Sequence, residues 1–252
     1  MENYYGNQDG YQQYDKQYPQ GAPFSQGLAQ TTAFAQLMTK VYVWMTLALA
    51  VTGLTAYGVA HSPNLVDMIF GNQIFFWGLL IAELALVIGL SAAINKISFT
   101  TAALLFVLYS IVNGVTLSVI FLAYTDASIA KTFFVTAGAF AGMAFVGYTT
   151  KKDLSAMGKF LLFALIGLII ASIVNIFMKS SGFDFVISII GILIFAGLTA
   201  YDSQKIKNMF LTYGGEVNDE TQKLAVLGSL TLYLDFINLF LYLLRFMGRS
   251  RN

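Results

Sequence analysis

The sequence contains no cysteine, one histidine and three prolines among its 252 residues. Without cysteine the chain can form no disulfide, no thiolate metal site and no cysteine nucleophile, and its redox compartment stays undetermined. Charged residues are also scarce, at 11%, and the net charge of +1 provides no electrostatic footprint for a nucleic acid, so no nucleic-acid partner is expected. What the sequence has is apolar surface: 57% of its residues are hydrophobic and its mean hydropathy is +0.69. This composition is too apolar for a soluble domain and predicts a protein of the lipid bilayer.

The first 27 residues differ in composition from the rest of the chain. Residues 1–27 are rich in Gln, Tyr, Gly and Asn and have no apolar period, so they are predicted to be a disordered N-terminal tail. The start lacks a charged region followed by an apolar core, and no cleavable signal peptide is therefore expected. Residues 28–252 are predicted to form the transmembrane domain.

Beyond Lys40 the sequence is a series of seven apolar runs, each near the roughly 20 residues that cross about 30 Å of hydrocarbon. Unpaired backbone groups are costly in lipid, so runs of this length should be helices. The predicted fold class is an all-α integral membrane protein, a seven-transmembrane-helix bundle. The predicted spans are residues 41–60, 73–94, 100–123, 129–149, 159–178, 183–204 and 223–246.

The basic residues predict the orientation of the bundle, since cytoplasmic loops carry an excess of Lys and Arg. Alternating crossings place nine on the side of the N-terminus and five on the other side, so the N-terminus should be cytoplasmic. The C-terminal arginines are discordant, and a re-entrant last segment would return them to the cytoplasm. The first set is Lys16, Lys40, Lys96, Lys151, Lys152, Lys159, Lys205, Lys207 and Lys223, and the second is Lys131, Lys179, Arg245, Arg249 and Arg251.

Three acidic residues, Glu83, Asp202 and Asp235, fall within the apolar runs. An ionisable residue inside the membrane is expensive and is by default a candidate functional residue. Around Asp235, steps of three and four residues trace a polar stripe along an otherwise apolar helix. This stripe predicts that the last helix lies inside the bundle or lines a wet cavity. Its members are Gly228, Thr231, Asp235, Asn238, Tyr242 and Arg245.

The buried carboxylates have no basic partner deep in any span, which leaves each other, hydroxyls, water or a bound cation. The predicted boundaries place Asp202 and Asp235 at depths that differ by roughly 10 Å at 1.5 Å per residue. They can meet if helix six continues to about Phe210 and helix seven begins late. A pair in contact would titrate as one coupled unit and sense pH, and its oxygens suit Ca²⁺.

Other polar residues of the spans are candidates for contacts with that site. The third span has a matching polar face of Tyr109, Asn113 and Thr116. Candidate pore or ion contacts are Glu83, Asn238 and Asn113. Gly138 and Gly142 in the fourth span form a small-xxx-small pair, which favours a close helix contact within the bundle or else a dimer face.

Three segments resemble the Bax inhibitor-1 family, also called the transmembrane Bax inhibitor motif family. They are residues 147–154 (GYTTKKDL), 195–205 (FAGLTAYDSQK) and 232–240 (LYLDFINLF), within a resemblance that extends from about 35 to 247. The short loops are similar to those of a bacterial member. The resemblance implies a seven-helix bundle with the last helix central, in a bacterial inner membrane.

The same resemblance implies a function. It implies a pH-sensitive calcium leak channel gated by two aspartates on the last two helices, which match Asp202 and Asp235, with Glu83 matching an acidic position of the second helix. Calcium and protons are then the small partners, with calcium bound or permeant and no other cofactor. The alternative role that the resemblance implies is regulation of a membrane-bound ATP-dependent protease of the FtsH type.

Enzyme interpretations fail on the residues present, so the chain is not expected to be an enzyme. An intramembrane aspartyl protease needs Gly-x-Gly-Asp at the second aspartate, whereas Tyr233 and Leu234 precede Asp235. A rhomboid-like serine protease needs a membrane-embedded histidine, and the one histidine is His61 in a loop. A retinal protein needs a lysine in the last span, which has none between 224 and 247. The oligomeric state stays open.

Overall fold

The backbone is helical almost throughout the part of the chain that the computed structural model describes, residues 22–212 and 217–251, with side chains described from Thr32 onward. Within these ranges no strand forms beyond an isolated bridge between Tyr124 and Ser250. The helices are α1 (Ala22–Ala60), α2 (Pro63–Phe70), α3 (Gln73–Ala93), α4 (Phe99–Leu117), α5 (Val119–Ala123), α6 (Asp126–Thr149), α7 (Ser155–Met178), α8 (Ser181–Thr212) and α9 (Asp219–Met247).

In the described part of the chain, seven helical segments are long and apolar enough to cross a membrane, which confirms the predicted fold class. The fourth and fifth helices together make one of these spans, Phe99–Ala123, with a break at Ser118, whose hydroxyl donates to the Val115 carbonyl at 2.6 Å. The largest difference from the predicted boundaries is at the first span, since α1 begins at Ala22 and not at residue 41. Helix six also continues eight residues beyond its predicted end at Gln204, to Thr212. Residues 213–216 of the predicted loop lie outside the described residues.

The short helix α2 was missed by the sequence interpretation, which treated this stretch as a loop. It begins at Pro63, directly after Ser62. Proline favours the first position of a helix because its missing N–H has no intrahelical partner there, so the Ser-Pro pair was the available signal. The predicted tail 1–27 lies mostly outside the described residues; α1 begins at Ala22.

Polar side chains fix the starts of several spans by accepting hydrogen bonds from free backbone N–H groups. Asn72 accepts from Ile74 at 3.0 Å at the start of α3. Asn218 forms a capping box with Thr221 at the start of α9. At the end of α7, Lys179 adopts the left-handed region, with φ of 50°, and this lets the chain turn at once into α8.

The last helix is central, as predicted. In its most apolar window 72% of the residues are buried inside the protein, against 6% for α3 and 11% for α7. It packs against α1, α4, α6 and α8. The predicted polar stripe faces α8: a Cβ added at Gly228 would lie 3.2 Å from Ile206 Cδ1, and one at Gly191 would meet the Tyr242 ring.

The end of the chain lies against the start of α6. Helix α9 is continuous over its 29 residues. A re-entrant last segment would need a break in this helix, and none occurs. The residues after it return to the connection before α6, where the N–H of Arg251 donates to the Ala123 carbonyl at 2.9 Å and that of Thr125 donates to the Arg249 carbonyl at 3.2 Å.

The small-xxx-small pair of α6 does not pack within the bundle. A Cβ added at Gly138 or Gly142 would have nothing within 4 Å. The intramolecular contact favoured from the sequence is therefore wrong for these two residues. The close approach of α6 to α8 occurs instead at Gly147, where an added Cβ would collide with the Ala200 carbonyl oxygen and lie 2.7 Å from its carbonyl carbon.

Candidate functional site

Asp202 of α8 and Asp235 of α9 come together in the interior of the bundle. Their residues are 8% and 5% exposed, and the two carboxyl groups lie within hydrogen-bonding reach of each other. The contact between them that the sequence analysis made conditional on a longer helix six therefore forms. The first part of the condition holds, since α8 continues past Phe210 to Thr212. The expected late start of the last helix is wrong, because α9 begins at Asp219, four residues before the predicted start at 223.

The direction of the two helices explains how residues at different depths meet. The approach of Gly228 to Ile206 places Asp235 about one turn from the level of Asp202 along the antiparallel pair. In an α-helix each Cα–Cβ bond tilts toward the N-terminus. Because α8 and α9 run in opposite directions, the two side chains lean toward each other across that turn.

Among the residues that the structure describes, no buried cation lies beside the pair. The cation near both carboxyl groups is Lys205, an exposed residue one turn along α8. Arg245, the last member of the polar stripe, binds Asp184 in the first turn of α8, with Nε donating to Oδ2 at 2.7 Å. One oxygen of Asp235, Oδ2, is buried and has no hydrogen-bond partner among the described residues. The pair is thus suited to a proton or a hard cation.

A metal ion at this pair would need further oxygen ligands. No group of three or more His, Cys, Asp or Glu side chains occurs in the part of the chain that the structure covers. Two carboxyl groups supply at most four of the roughly six to eight oxygens that Ca²⁺ takes, so carbonyl, hydroxyl or water oxygens would complete its shell.

A second polar cluster lies on the opposite face of α9. The Tyr233 hydroxyl donates to Asn113 Oδ1 at 2.9 Å and lies 2.7 Å from Thr52 Oγ1. Asn113 Nδ2 in turn lies 3.5 Å from Glu83 Oε1. Tyr233 and Asp235 are two residues apart, which is about 200° around a helix of 3.6 residues per turn. The backbone of the central helix therefore separates this cluster from the aspartate pair.

The residues predicted to contact the pore or the ion therefore do not form one site. Glu83 and Asn113 belong to the cluster of Tyr233, while Asn238 donates to the Leu234 carbonyl of its own helix at 2.8 Å. The polar face of the third span, which includes Asn113, was predicted to contact the polar stripe around Asp235. This prediction is wrong, because Asn113 binds Tyr233 on the other side of α9. The roles assigned to Asp202, Asp235, Glu83, Asn238 and Asn113 stay predictions.

Sequence reasoning missed Tyr233 and Thr52. Tyr233 is completely buried and Thr52 is 3% exposed. Buried tyrosine hydroxyls usually find a hydrogen-bond partner, and this rule was the available signal for Tyr233. Nothing in the local sequence separates Thr52 from the other threonines of its helix.

Comparison with known proteins places the chain in a family. Residues 34–252 match the family model described as inhibitor of apoptosis-promoting Bax1. The inner membrane protein YbhL of Escherichia coli K12 is 49% identical over 230 residues, which cover 91% of this chain and 98% of that protein.

Two further relatives extend the similarity across distant bacteria. A protein of Borreliella burgdorferi is 48% identical over 86% of this chain and 93% of its own length. A protein of Rickettsia prowazekii is 44% identical over 85% of this chain and 90% of its own length. The matched family is a membrane family and not a known enzyme family. The chain is therefore a multi-pass membrane protein that belongs to the Bax inhibitor-1 family.

Proposed function

We propose that the protein is a pH-sensitive calcium leak channel whose gate is the pair Asp202 and Asp235. The observation that carries this proposal is the contact of two carboxyl groups, each on a residue less than a tenth exposed, between the central helix α9 and its neighbour α8. Ionisable residues in such positions mark ion and proton pathways in membrane proteins.

The chemistry of the contact supplies the pH response. Ionised carboxylates only accept hydrogen bonds, so two carboxyl oxygens at hydrogen-bonding distance need a proton between them. Loss of that proton leaves two adjacent negative charges that repel in a low dielectric, which drives α8 and α9 apart. The freed oxygens are the hard ligands that Ca²⁺ prefers. Flux should therefore be lower when the pair holds its proton and higher when it does not.

The test is Ca²⁺ influx into dye-loaded proteoliposomes at pH 6 and pH 8. Wild-type protein should conduct more at pH 8, and Asp202→Asn plus Asp235→Asn should lose this dependence, because asparagine donates a hydrogen bond at every pH. The matched control is Asp219→Asn, the same change on the same helix at a side chain that is 67% exposed.

Two outcomes would count against the channel. A pH response that survives in the double variant would refute the aspartate gate. Absence of flux from folded wild-type protein above that of empty liposomes would favour the alternative role, in which the chain binds and modulates a membrane-bound protease of the FtsH type.

We also propose that the protein lies in a bacterial cytoplasmic membrane with its N-terminus in the cytoplasm. The positive-inside rule supports this orientation through the nine basic residues on that side. Several of them gather at one end of the bundle, where Lys40 donates to Gln222 at 3.1 Å and Lys207 donates to the Tyr148 carbonyl at 2.7 Å.

A further inference from the structure

Glu83 occupies an unusual position for a carboxyl group. It lies ten residues from either end of α3 (Gln73–Ala93), which is about 15 Å from each end at 1.5 Å per residue and hence at mid-membrane depth. Among the described helices, α3 packs mainly against α2 and α4. Glu83 is partly exposed. A fixed negative charge at this depth is expensive. The position therefore favours a neutral, protonated carboxyl group.

A chain of polar groups connects Glu83 on α3 to residues of α4, α9 and α1. It runs from Glu83 on α3 to Asn113 on α4 at 3.5 Å, then to Tyr233 on α9 at 2.9 Å. From Tyr233 it continues to Thr52 on α1 at 2.7 Å and ends at the carbonyl of Ser110 at 2.9 Å. Asn113, Tyr233, Thr52 and Ser110 are all buried. Buried polar groups of this kind cost free energy unless each contact holds a hydrogen.

Counting hydrogens distinguishes two states of this chain. With Glu83 ionised, Asn113 Nδ2 donates to Glu83, Tyr233 donates to Asn113 Oδ1 and Thr52 donates to the Ser110 carbonyl. Each hydroxyl has one hydrogen, so the contact between Thr52 and Tyr233 then has none of its own.

Protonation of Glu83 supplies the missing hydrogen. If the Asn113 amide turns over, Glu83 donates to Asn113 Oδ1, Asn113 Nδ2 donates to Tyr233, Tyr233 donates to Thr52 and Thr52 donates to the Ser110 carbonyl. Every contact then holds one hydrogen, and the direction of donation along the chain is reversed. The oxygen and nitrogen of an asparagine amide occupy equivalent positions, so the turn requires no displacement of the backbone.

We infer that Glu83 is a proton-binding site of its own, whose proton reverses the hydrogen-bond chain that joins α3 to α1 through α4 and α9. The titratable groups that face Glu83 are Tyr109 of α4 and Tyr233 of α9. On α2 the titratable residue is Asp67, which lies beside Gly71 at the end of that helix, before α3 begins. The site is separate from the aspartate pair and does not depend on the proposed channel function.

The test uses dicyclohexylcarbodiimide, an apolar reagent that enters membranes and reacts with protonated carboxyl groups. The carboxyl proton passes to one nitrogen of the carbodiimide while the carboxyl oxygen bonds to its central carbon. The resulting O-acylisourea rearranges to a stable N-acylurea, so the whole mass of the reagent is added. Peptide mass spectrometry of the full chain in liposomes, labelled between pH 5 and pH 9, measures the fraction modified.

Glu83 should carry the adduct, and the fraction modified should fall as pH rises with the slope of a single proton. Glu83→Gln should abolish this adduct, whereas Asp202→Asn plus Asp235→Asn should retain it. Tyr233→Phe should move the labelling midpoint to lower pH by roughly half to one unit, the worth of one hydrogen bond, because protonation no longer completes the chain. Thr52→Val, which keeps the tyrosine, should shift it in the same direction.

The inference is overturned by any of three results with folded protein, as judged by a monodisperse elution profile and unchanged helical circular dichroism. These are the absence of an adduct on Glu83 at every pH, labelling that does not vary with pH, and a midpoint that neither Tyr233→Phe nor Thr52→Val moves. The second variant keeps the test decisive if the first fails to fold.

Discussion

Substitution of Gly147 by alanine should weaken the contact that positions Asp202. An added Cβ would collide with the Ala200 carbonyl oxygen and lie 2.7 Å from its carbonyl carbon, whereas ordinary contacts begin at 3.4 Å. Backbone cannot rotate away as a side chain can, so α6 and α8 must separate by more than 0.7 Å, the difference between 2.7 Å and 3.4 Å for the carbonyl carbon alone. Overpacking of this kind costs about 1–3 kcal/mol. Asp202 is two residues beyond Ala200 and should move with it.

The matched control is Gly142→Ala, the same change in the same helix at a position where an added Cβ would have nothing within 4 Å. Both variants gain the helix propensity of alanine, about 0.5–1 kcal/mol. The difference between them therefore isolates the collision, and Gly147→Ala should be less stable than Gly142→Ala by about 1–3 kcal/mol.

Unfolding by sodium dodecyl sulfate in mixed micelles, followed by circular dichroism at helical wavelengths, measures this difference. The proteoliposome assay should also show an altered Ca²⁺ flux for Gly147→Ala and an unchanged one for Gly142→Ala. Equal stability of the two variants would refute the close approach of α6 to α8.

The remaining predictions concern the connection before α7 and the orientation of the chain. Gln204→Ala should raise the amide hydrogen exchange of Leu154, because Gln204 accepts from its N–H at 2.8 Å and donates to the Lys152 carbonyl at 2.7 Å; unchanged exchange would show that solvent already opens this turn. Alkaline phosphatase fused after residue 252 should be active in a bacterial host, because it folds only outside the cytoplasm and seven crossings place this site there. A fluorescent fusion to green fluorescent protein at the same site would contradict the proposed orientation.

Much of the fold follows from local sequence because the bilayer imposes simple lengths. Seven apolar runs of about 20 residues predict seven crossings, and backbone groups in lipid must be paired within each segment, so the crossings are helices. The polar stripe of the last helix predicted its central position, since Asp235 and its polar neighbours could not face lipid.

The ends of the helices were less predictable. Helix α8 continues to Thr212 through a polar stretch that the hydropathy pattern assigned to a loop. Contacts at and beyond the predicted end hold this stretch: Gln204, the last residue of the predicted span, binds the connection before α7, and Lys207 binds the Tyr148 carbonyl. Such contacts stabilise a helix beyond the membrane, and they join residues about 50 or more positions apart in the chain, which no local pattern reveals.

The sequence by itself determined which residues had to leave the lipid: Asp202, Asp235 and Glu83 stood out because charge is expensive in hydrocarbon. Only the tertiary structure decided that the first two meet across α8 and α9 while Glu83 joins Tyr233 on the other side of the central helix. The physical reason is that the hydrophobic period and the length of a span depend on residues that are close along the chain. The rotation of each helix about its own axis depends on packing between segments that are distant along the chain. That packing placed the close contact at Gly147 and left the small-xxx-small pair of the same helix without one.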